Sequence, residues 1–286
     1  RLFDFRKEDV ELKRKRITQI FPLLLPLRRA QKKFCFYTKM FFDRNRYART
    51  QASETLPNCI YEAKTQLFNE NTGFDMKYQE NKVFNLKLAS VPVNGILIRS
   101  GETFSFWQLV RFAEKNGRYK DGLALQDGKL VTVAGGGLCH LSNFIFWLFL
   151  HTPLTIIERH PHQVKNFPSP DESEPDSVDA TVSEGWLDLK VKNDTNMNFQ
   201  IELSFDKLYL YGRILTEQAF NSRYDILNRD KRFYKKAGKV YEKVSVCRQK
   251  IDLGTEQVQS ESRLYTDVFE IGYPLPEEIE VLESED

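Results

Sequence analysis

The chain has 286 residues, of which 41% are hydrophobic and 29% are charged, and its formal net charge is +2. This composition is ordinary for a globular protein and excludes intrinsically disordered and fibrous classes. The sequence has no Arg-Gly, zinc-knuckle or aromatic-stacking pattern, so we expect no nucleic-acid partner.

The first fifty residues are clearly basic, and their apolar residues recur at spacings that predict helices broken at Pro22 and Pro26. Residues 53–74 contain turn-forming residues and are predicted to be irregular. We therefore assign residues 1–78 to a basic, largely helical N-terminal segment. Its charge favours either a solvated helix face or peripheral contact with a membrane surface.

The middle of the chain begins with a helix predicted over residues 79–89. Short β-prone runs follow, at residues 95–99, 103–106 and 129–133. Three consecutive glycines end the last run and open a helix that is predicted from about Cys139 to Leu150, since Pro153 cannot continue it.

Further strands are predicted after this helix. Their ranges are residues 155–160, a hairpin of 178–183 with 186–192 across Glu184-Gly185, a second hairpin of 199–205 with 208–214, and residues 239–248. The polar stretch 168–177 is predicted to be a loop. The pattern indicates an α+β fold with a β-rich core domain over residues 79–216 and a C-terminal extension over residues 217–286 that ends in an acidic tail.

The targeting and redox signals favour a protein that is cytoplasmic or peripheral to the membrane. Polar residues and a proline interrupt the most apolar run, residues 141–157, which is too short for a bilayer span. Residues 17–27 form a poor signal peptide. The four cysteines have no short spacing and are predicted to be reduced thiols.

One candidate chemical site begins at Cys139. A cysteine in the first turn of a helix is expected to have a lowered thiol pKa, because the unpaired N–H groups favour the thiolate. The glycines before it, Gly136 and Gly137, allow a tight bend whose N–H groups are expected to stabilise an oxyanion.

The second half of the candidate site lies about twenty residues later. His160 and His162 are two positions apart, so in an extended chain both rings could face the thiol and one could act as its base. Asp179 is the candidate for orienting that base. Two alternatives stay open at this point, namely a zinc site that uses Cys139 with the histidines and a purely structural role.

These residues fall into blocks that resemble the VanW domain. The blocks are Asn94-Gly95, residues 99–106 (Arg-Ser-Gly-Glu-Thr-Phe-Ser-Phe), residues 135–139 (Gly-Gly-Gly-Leu-Cys), residues 158–162 (Glu-Arg-His-Pro-His), residues 179–182 (Asp-Ala-Thr-Val), residues 187–190 (Leu-Asp-Leu-Lys) and Lys192-Asn193. Together they span roughly residues 80–215, and their order along the chain makes the resemblance specific.

The resemblance implies a connection with peptidoglycan and with glycopeptide (vancomycin) resistance. Some proteins with this domain act as cysteine L,D-transpeptidases, which cross-link stem peptides through an acyl-enzyme and need no cofactor. Carried onto this chain, Cys139 would be the nucleophile and His160 or His162 the base.

The resemblance also bears on the residues that would hold the substrate. We assign Gly136, Gly137, His140 and Arg159 to substrate binding or the oxyanion, although the family commonly has Gln where this chain has His140. The expected substrate is a stem peptide or its precursor. The alternatives are an accessory protein that binds muropeptides or a resistance partner, and a zinc-dependent hydrolase.

Overall fold

The computed structural model describes residues 22–69, 73–126, 129–166 and 175–284. The chain divides into two compact units, residues 1–44 and 45–286. The boundaries that the sequence predicts after residues 78 and 216 stay a prediction, and both positions lie within the second unit. The helices expected before residue 22 and most of the loop predicted at 168–177 lie outside the described residues.

Four α-helices lie in the described part of the chain: α1 (Leu25–Phe42), α2 (Lys77–Ser90), α3 (Phe106–Val110) and α4 (Leu138–Leu150). The predictions of α2 and α4 are confirmed to within two residues. Pro26 stands in the first turn of α1, so it begins this helix instead of breaking it. Single 3-10 turns occur at Pro22–Leu24 and Ala113–Asn116.

A four-stranded sheet lies closest to the candidate site. Its order is β1 (Arg46–Tyr47), β5 (Glu102–Ser105), β10 (Lys190–Lys192) and β8 (Thr155–Glu158). The β1–β5 pair is parallel, and the other two pairs are antiparallel. Lys190 of β10 stands opposite Glu158, the last residue of β8, which brings the start of the histidine motif to this sheet.

A second, five-stranded sheet is antiparallel throughout. Its order is β2 (Thr50–Gln51), β4 (Ile96–Ile98), β11 (Phe199–Phe205), β12 (Tyr209–Thr216) and β3 (Asn58–Gln66). The predicted hairpin of β11 with β12 is confirmed. The prediction of an irregular segment at 53–74 is wrong over β3, because this strand pairs with β12 far away in sequence.

The C-terminal residues form a third sheet. Its order is β16 (Val281–Leu282), β13 (Ser222–Lys236), β14 (Lys239–Asp252), β15 (Val258–Ile271) and β9 (Val164–Lys165). A separate hairpin joins β6 (Asp121–Gln126) to β7 (Lys129–Ala134). The three sheets and the hairpin confirm an α+β fold that is rich in strands.

Helix α4 is at the centre of the core because it is apolar on nearly all sides. Ile145, Leu148 and Phe149 are among its fully buried residues. Gly212 of β12 lets the helix approach the second sheet, since a Cβ atom there would lie 2.6 Å from Leu148 Cδ1. Burial of such side chains supplies the main driving force that fixes the position of α4.

Of the hairpin predicted over residues 178–192, the structure contains the turn but not the pairing of the two strands. A single bridge joins Ser183 to Leu187, with Gly185 at φ +82°. Beyond the turn the chain diverges, because the Asp188 carboxylate points inward, where it accepts hydrogen bonds from Ser105 Oγ (2.6 Å) and Trp107 N (3.0 Å) at the start of α3. The expected strand pairing is therefore wrong.

Two sequence predictions concern thiols and membranes. All four cysteines lie in the described residues and none forms a disulfide, which confirms the prediction of free thiols. Across the described ranges, no helix has both the length and the apolar character needed to cross a membrane.

Candidate functional site

The triple glycine forms a tight turn between β7 and α4. Gly137 has φ +99° and stands at the N-cap of α4. Gly136 packs directly on the backbone of Gly122 in β6, since a Cβ atom at residue 136 would lie 2.2 Å from the Gly122 carbonyl carbon. Glycine is needed at both positions because two backbone segments touch there without space for a side chain.

The turn uses some of the N–H groups that we assigned to an oxyanion hole. Gly136 N donates to the Val133 carbonyl at 3.0 Å, so this N–H is already occupied and the Gly136 prediction is wrong. The physical reason is that the hydrogen bond closes the turn itself. The N–H groups of Leu138 and Cys139 belong to the first turn of α4, where a helix provides no acceptor of its own.

Cys139 is the second residue of α4 and is half-buried. Its Sγ atom donates to the Val182 carbonyl oxygen at 3.6 Å. Burial raises the pKa of the Cys139 thiol, and the negative charge of Asp179 raises it further. The expected lowering of this pKa is wrong because desolvation and the charge of Asp179 outweigh the hydrogen bond to the Val182 carbonyl, which alone favours the thiolate.

An extended segment, residues 179–182, lies along this face of α4. Ser142 Oγ donates to the Ala180 carbonyl at 2.6 Å, and Ala180 N donates to Asn143 Oδ1 at 2.8 Å. On its other edge, Thr181 N donates to the His160 carbonyl at 2.7 Å. The segment thus connects the cysteine helix with the backbone of the histidine motif, one on each edge.

His162 is held by Asp179 at two atoms. Asp179 Oδ2 accepts from the His162 backbone N at 2.8 Å and from His162 Nδ1 at 2.5 Å. A carboxylate only accepts hydrogen bonds, so Nδ1 is the donor in this contact and Nε2 is the ring nitrogen left to act as a base. Burial raises the pKa of Asp179, but the hydrogen bond from His162 and the charge of Arg159 outweigh it and leave this pKa lowered.

His160 has a different carboxylate partner. Its Nε2 atom lies 3.0 Å from Glu158 Oε1, and Lys190 Nζ lies 3.0 Å from Glu158 Oε2. Burial raises the pKa of Glu158, yet the hydrogen bonds from His160 and Lys190 outweigh this and lower the pKa overall. The two histidines therefore differ in tautomer and in environment, although they are only two residues apart.

Arg159 is buried and does not face a substrate space. Only 5% of its side chain is exposed, and its guanidinium pairs with Asp179 Oδ1 at 2.8 Å and with Asp267. It also donates to the Ser177 carbonyl at 3.0 Å. The assignment of Arg159 to substrate or oxyanion binding is therefore wrong, because its N–H groups are used to fix Asp179.

The C-terminal sheet takes part in this arrangement through β15. Asp267 is one partner of Arg159, and the Tyr265 ring lies 4.5 Å from the Arg159 guanidinium carbon. Tyr265 Oη also donates to the Ser177 carbonyl at 2.9 Å. A strand from the predicted C-terminal extension thus packs directly behind the His162–Asp179 pair.

The structure directs His140 away from the face that carries Cys139. His140 Nε2 lies 2.9 Å from Thr65 Oγ1 on β3. Burial, with a contribution from the charge of Lys82, lowers the pKa of His140 to about 4. The ring is therefore neutral near pH 7 and packs against the second sheet.

The metal alternative finds no support in the described residues. Across these ranges, no three His, Cys, Asp or Glu side chains are grouped closely enough to hold an ion. Cys139 and His140 contact different elements, as their neighbouring positions on one helix predict.

Sequence reasoning missed several residues that build the site. Glu158 offered a signal, since it stands two positions before His160 at the end of a strand and so shares its face. Asp267 and Tyr265 offered none, because no motif links them to residues more than a hundred positions earlier. Their roles depend on the tertiary fold.

Comparison with known proteins agrees with the motif blocks. The family model described as VanW like protein matches residues 81–215. The protein named Vancomycin B-type resistance protein VanW, from Enterococcus faecalis, is 50% identical over 273 residues, which cover 96% of this chain and 99% of that protein. Uncharacterized protein YoaR of Bacillus subtilis is 28% identical over 162 residues, which cover 56% of this chain and 51% of YoaR.

No solved structure matches the chain. The family model covers the glycine turn, Cys139, both histidines and Asp179, and the Enterococcus protein is similar over nearly the whole length of both chains. The chain therefore belongs to the VanW family.

Proposed function

We propose that this protein is a cysteine acyltransferase or amidase that acts on peptidoglycan stem peptides or their precursors and contributes to glycopeptide resistance. The name of the Enterococcus relative supports the link with vancomycin resistance. The observation that carries the proposed chemistry is the double hydrogen bond from His162 to Asp179, a carboxylate whose charge also acts on the Cys139 thiol. Such a carboxylate fixes the tautomer that a general base requires.

In the proposed reaction, His162 Nε2 accepts the proton of the Cys139 thiol. The thiolate attacks the carbonyl carbon of the stem peptide, and a C–S bond forms. The same proton then passes from His162 to the leaving amine as the C–N bond breaks, which leaves a thioester on Cys139. An amine or water takes the acyl group in the second half of the reaction and restores the thiol.

The raised pKa of Cys139 makes the base essential in this scheme. Near neutral pH the thiol is mainly protonated, and its hydrogen bond to the Val182 carbonyl holds the proton away from the reaction. Substrate binding must therefore release Sγ from Val182 before the proton can move. Catalytic hydrogen bonds commonly tighten only when a substrate is bound.

The N–H groups of the first turn of α4 are the best remaining oxyanion donors. Leu138 and Cys139 occupy this turn, and Gly137 caps it. Donors that are fixed before the reaction stabilise the developing charge without reorganisation. A carbonyl attacked by Cys139 Sγ would therefore develop its negative charge close to these groups.

The thioester provides a direct test. The full chain is incubated with a synthetic stem tetrapeptide, quenched in acid, and its intact mass is measured. We expect the chain to gain the mass of the acyl part, without the released terminal residue, and the modified peptide to contain Cys139. The adduct should be absent from Cys139→Ala and present in Cys59→Ala, since Cys59 is an exposed thiol on β3. An adduct that persists in Cys139→Ala would contradict the proposal.

A second candidate function is an accessory protein that binds muropeptides without chemistry. The raised pKa of the half-buried Cys139 thiol favours this alternative. The rate at which Cys139 reacts with a thiol reagent near neutral pH distinguishes the accessory protein from the enzyme. An accessory protein should show a Cys139 that reacts more slowly than a model thiol whether or not the stem peptide is present, whereas the proposed enzyme should react faster once the peptide analogue displaces Sγ from Val182.

A further inference from the structure

Two of the residues of helix α4 that are not buried in the core lie on one face. The residues of α4 outside the core are Cys139, His140, Asn143 and Trp147. Residues four positions apart on a helix are neighbours on its surface, so Asn143 stands one turn after Cys139 on the same side. Helical side chains lean towards the N-terminus of their helix, which brings the Asn143 amide over the turn that contains Cys139.

One hydrogen bond fixes the orientation of the Asn143 amide. Its Oδ1 atom accepts from Ala180 N at 2.8 Å. A backbone N–H can only donate, so a rotated amide, with Nδ2 in the place of Oδ1, would set two donors against each other. The neighbouring peptide groups are also held, because Arg159 Nε donates to the Asp179 carbonyl and Ser142 Oγ donates to the Ala180 carbonyl. The amide therefore has one orientation.

The Nδ2 atom of the same amide is a donor that the protein leaves unused. Among the described residues no acceptor lies within hydrogen-bond distance of it, and it is not sealed from solvent. Asn143 as a whole is half-buried, as is Cys139. A donor that is fixed in direction, accessible and close to a thiol is arranged to bind an acceptor on a ligand.

We infer that Asn143 is a substrate-binding residue, whose Nδ2 donates a hydrogen bond to a carbonyl oxygen of the stem peptide as the peptide lies across Cys139. This inference rests on the proposed substrate class and not on the proposed bond chemistry. Cβ atoms at this helical spacing are roughly 5–6 Å apart, and the peptide groups of an extended chain recur every 3.3–3.6 Å or so. A carbonyl one or two residues from the attacked bond therefore falls within reach of Nδ2.

Binding of a stem peptide to a chain that cannot react is the test. In the Cys139→Ala protein, isothermal titration calorimetry measures the Kd for a synthetic stem tetrapeptide. Asn143→Asp, made in that background, keeps an oxygen acceptor for Ala180 N but replaces the Nδ2 donor with an oxygen that repels a carbonyl. We expect its Kd to rise by at least about tenfold, the usual effect of leaving a polar group without its hydrogen-bond partner.

Two further variants complete the test. Asn196→Asp is the matched control, since it makes the same change in net charge at an exposed position between β10 and β11, and its Kd should equal that of the Cys139→Ala protein. Asn143→Ser removes the amide without adding charge, and we expect its Kd to rise by a few-fold because the donor is lost but no repulsion is added. Circular dichroism checks that every variant is folded.

Three results would overturn the inference. They are an unchanged Kd in both Asn143 variants, an equal rise in Asn196→Asp, and no binding of the tetrapeptide to the Cys139→Ala protein. The first two leave the acyl-enzyme proposal standing. A raised Kd in the Asn143 variants together with no adduct in the intact-mass experiment would support peptide binding by Asn143 and reject the cysteine chemistry.

Discussion

Replacement of His162 by Ala is expected to lower kcat/KM for a stem peptide by about 10²–10⁴-fold, which is the usual contribution of a positioned general base. The reason is that Asp179 fixes Nδ1 of this ring as the donor and leaves Nε2 as the basic nitrogen. The raised pKa of Cys139 makes the reaction depend strongly on that base. Steady-state kinetics on a synthetic stem peptide measure the effect.

His160→Ala is the matched control for this prediction. Both histidine side chains are 35% exposed and both contact a carboxylate. They differ in that the Nε2 atom of His160 is already used by Glu158, and we expect its replacement to change kcat/KM far less. A larger loss in His160→Ala than in His162→Ala would reverse the assignment of the base.

Gly136→Ala is expected to lower the free energy of unfolding by at least about 3 kcal/mol, at the upper end of the cost of overpacking a core. A Cβ atom at this position would lie 2.2 Å from a backbone carbon of Gly122, which no side-chain rotation can relieve. The β6–β7 hairpin would have to move away from the start of α4. Urea unfolding monitored by circular dichroism measures the change as a lower midpoint.

Gly254→Ala serves as the control for the glycine prediction. A Cβ atom there meets only the Asp252 side chain, at 3.4 Å, and its backbone is not in the left-handed region. We expect the unfolding midpoint of Gly254→Ala to remain close to that of the unchanged chain. A Gly136→Ala protein with the same midpoint would show that the two backbone segments can separate without cost.

The parts of the fold that could be predicted from sequence are those specified by local signals. Helix α4 has an apolar run, a glycine turn before it and Pro153 after it, and each signal fixes one property of the helix. The hairpin of β11 with β12 alternates polar and apolar residues around a short turn. Local patterns are sufficient where a segment pairs with its neighbour in the chain.

The parts that were missed depend on distant partners. Strand β3 pairs with β12, about 150 residues later, and β15 pairs with both β14 and the short strand β9. The segment at 178–182 looked like half of a hairpin, but α4 and His160 provide its hydrogen-bond partners instead. Tertiary contacts of this kind override local strand preference.

In the candidate site, too, local sequence identified some features, and others depend on contacts between distant residues. Residue types and spacing identified Cys139, the two histidines and Asp179. They could not show that each histidine has its own carboxylate partner. They also could not show that the Arg159 side chain is buried and forms an ion pair with Asp179. The pKa of Cys139 was predicted in the wrong direction, because burial of the thiol is a property of the folded chain and not of the helix start alone.

Arg159 pairs with both Asp179 and Asp267, and this pairing determines which fragments of the chain can keep the site intact. The region that the family model matches ends at residue 215, whereas Asp267 comes from β15. A fragment cut at that point would keep the cysteine and both histidines but would leave the guanidinium with one acidic neighbour in place of two. A buried cation that loses a counter-ion is strongly destabilising, so we expect removal of β15 to disturb the Arg159–Asp179 pair and, with it, the position of His162.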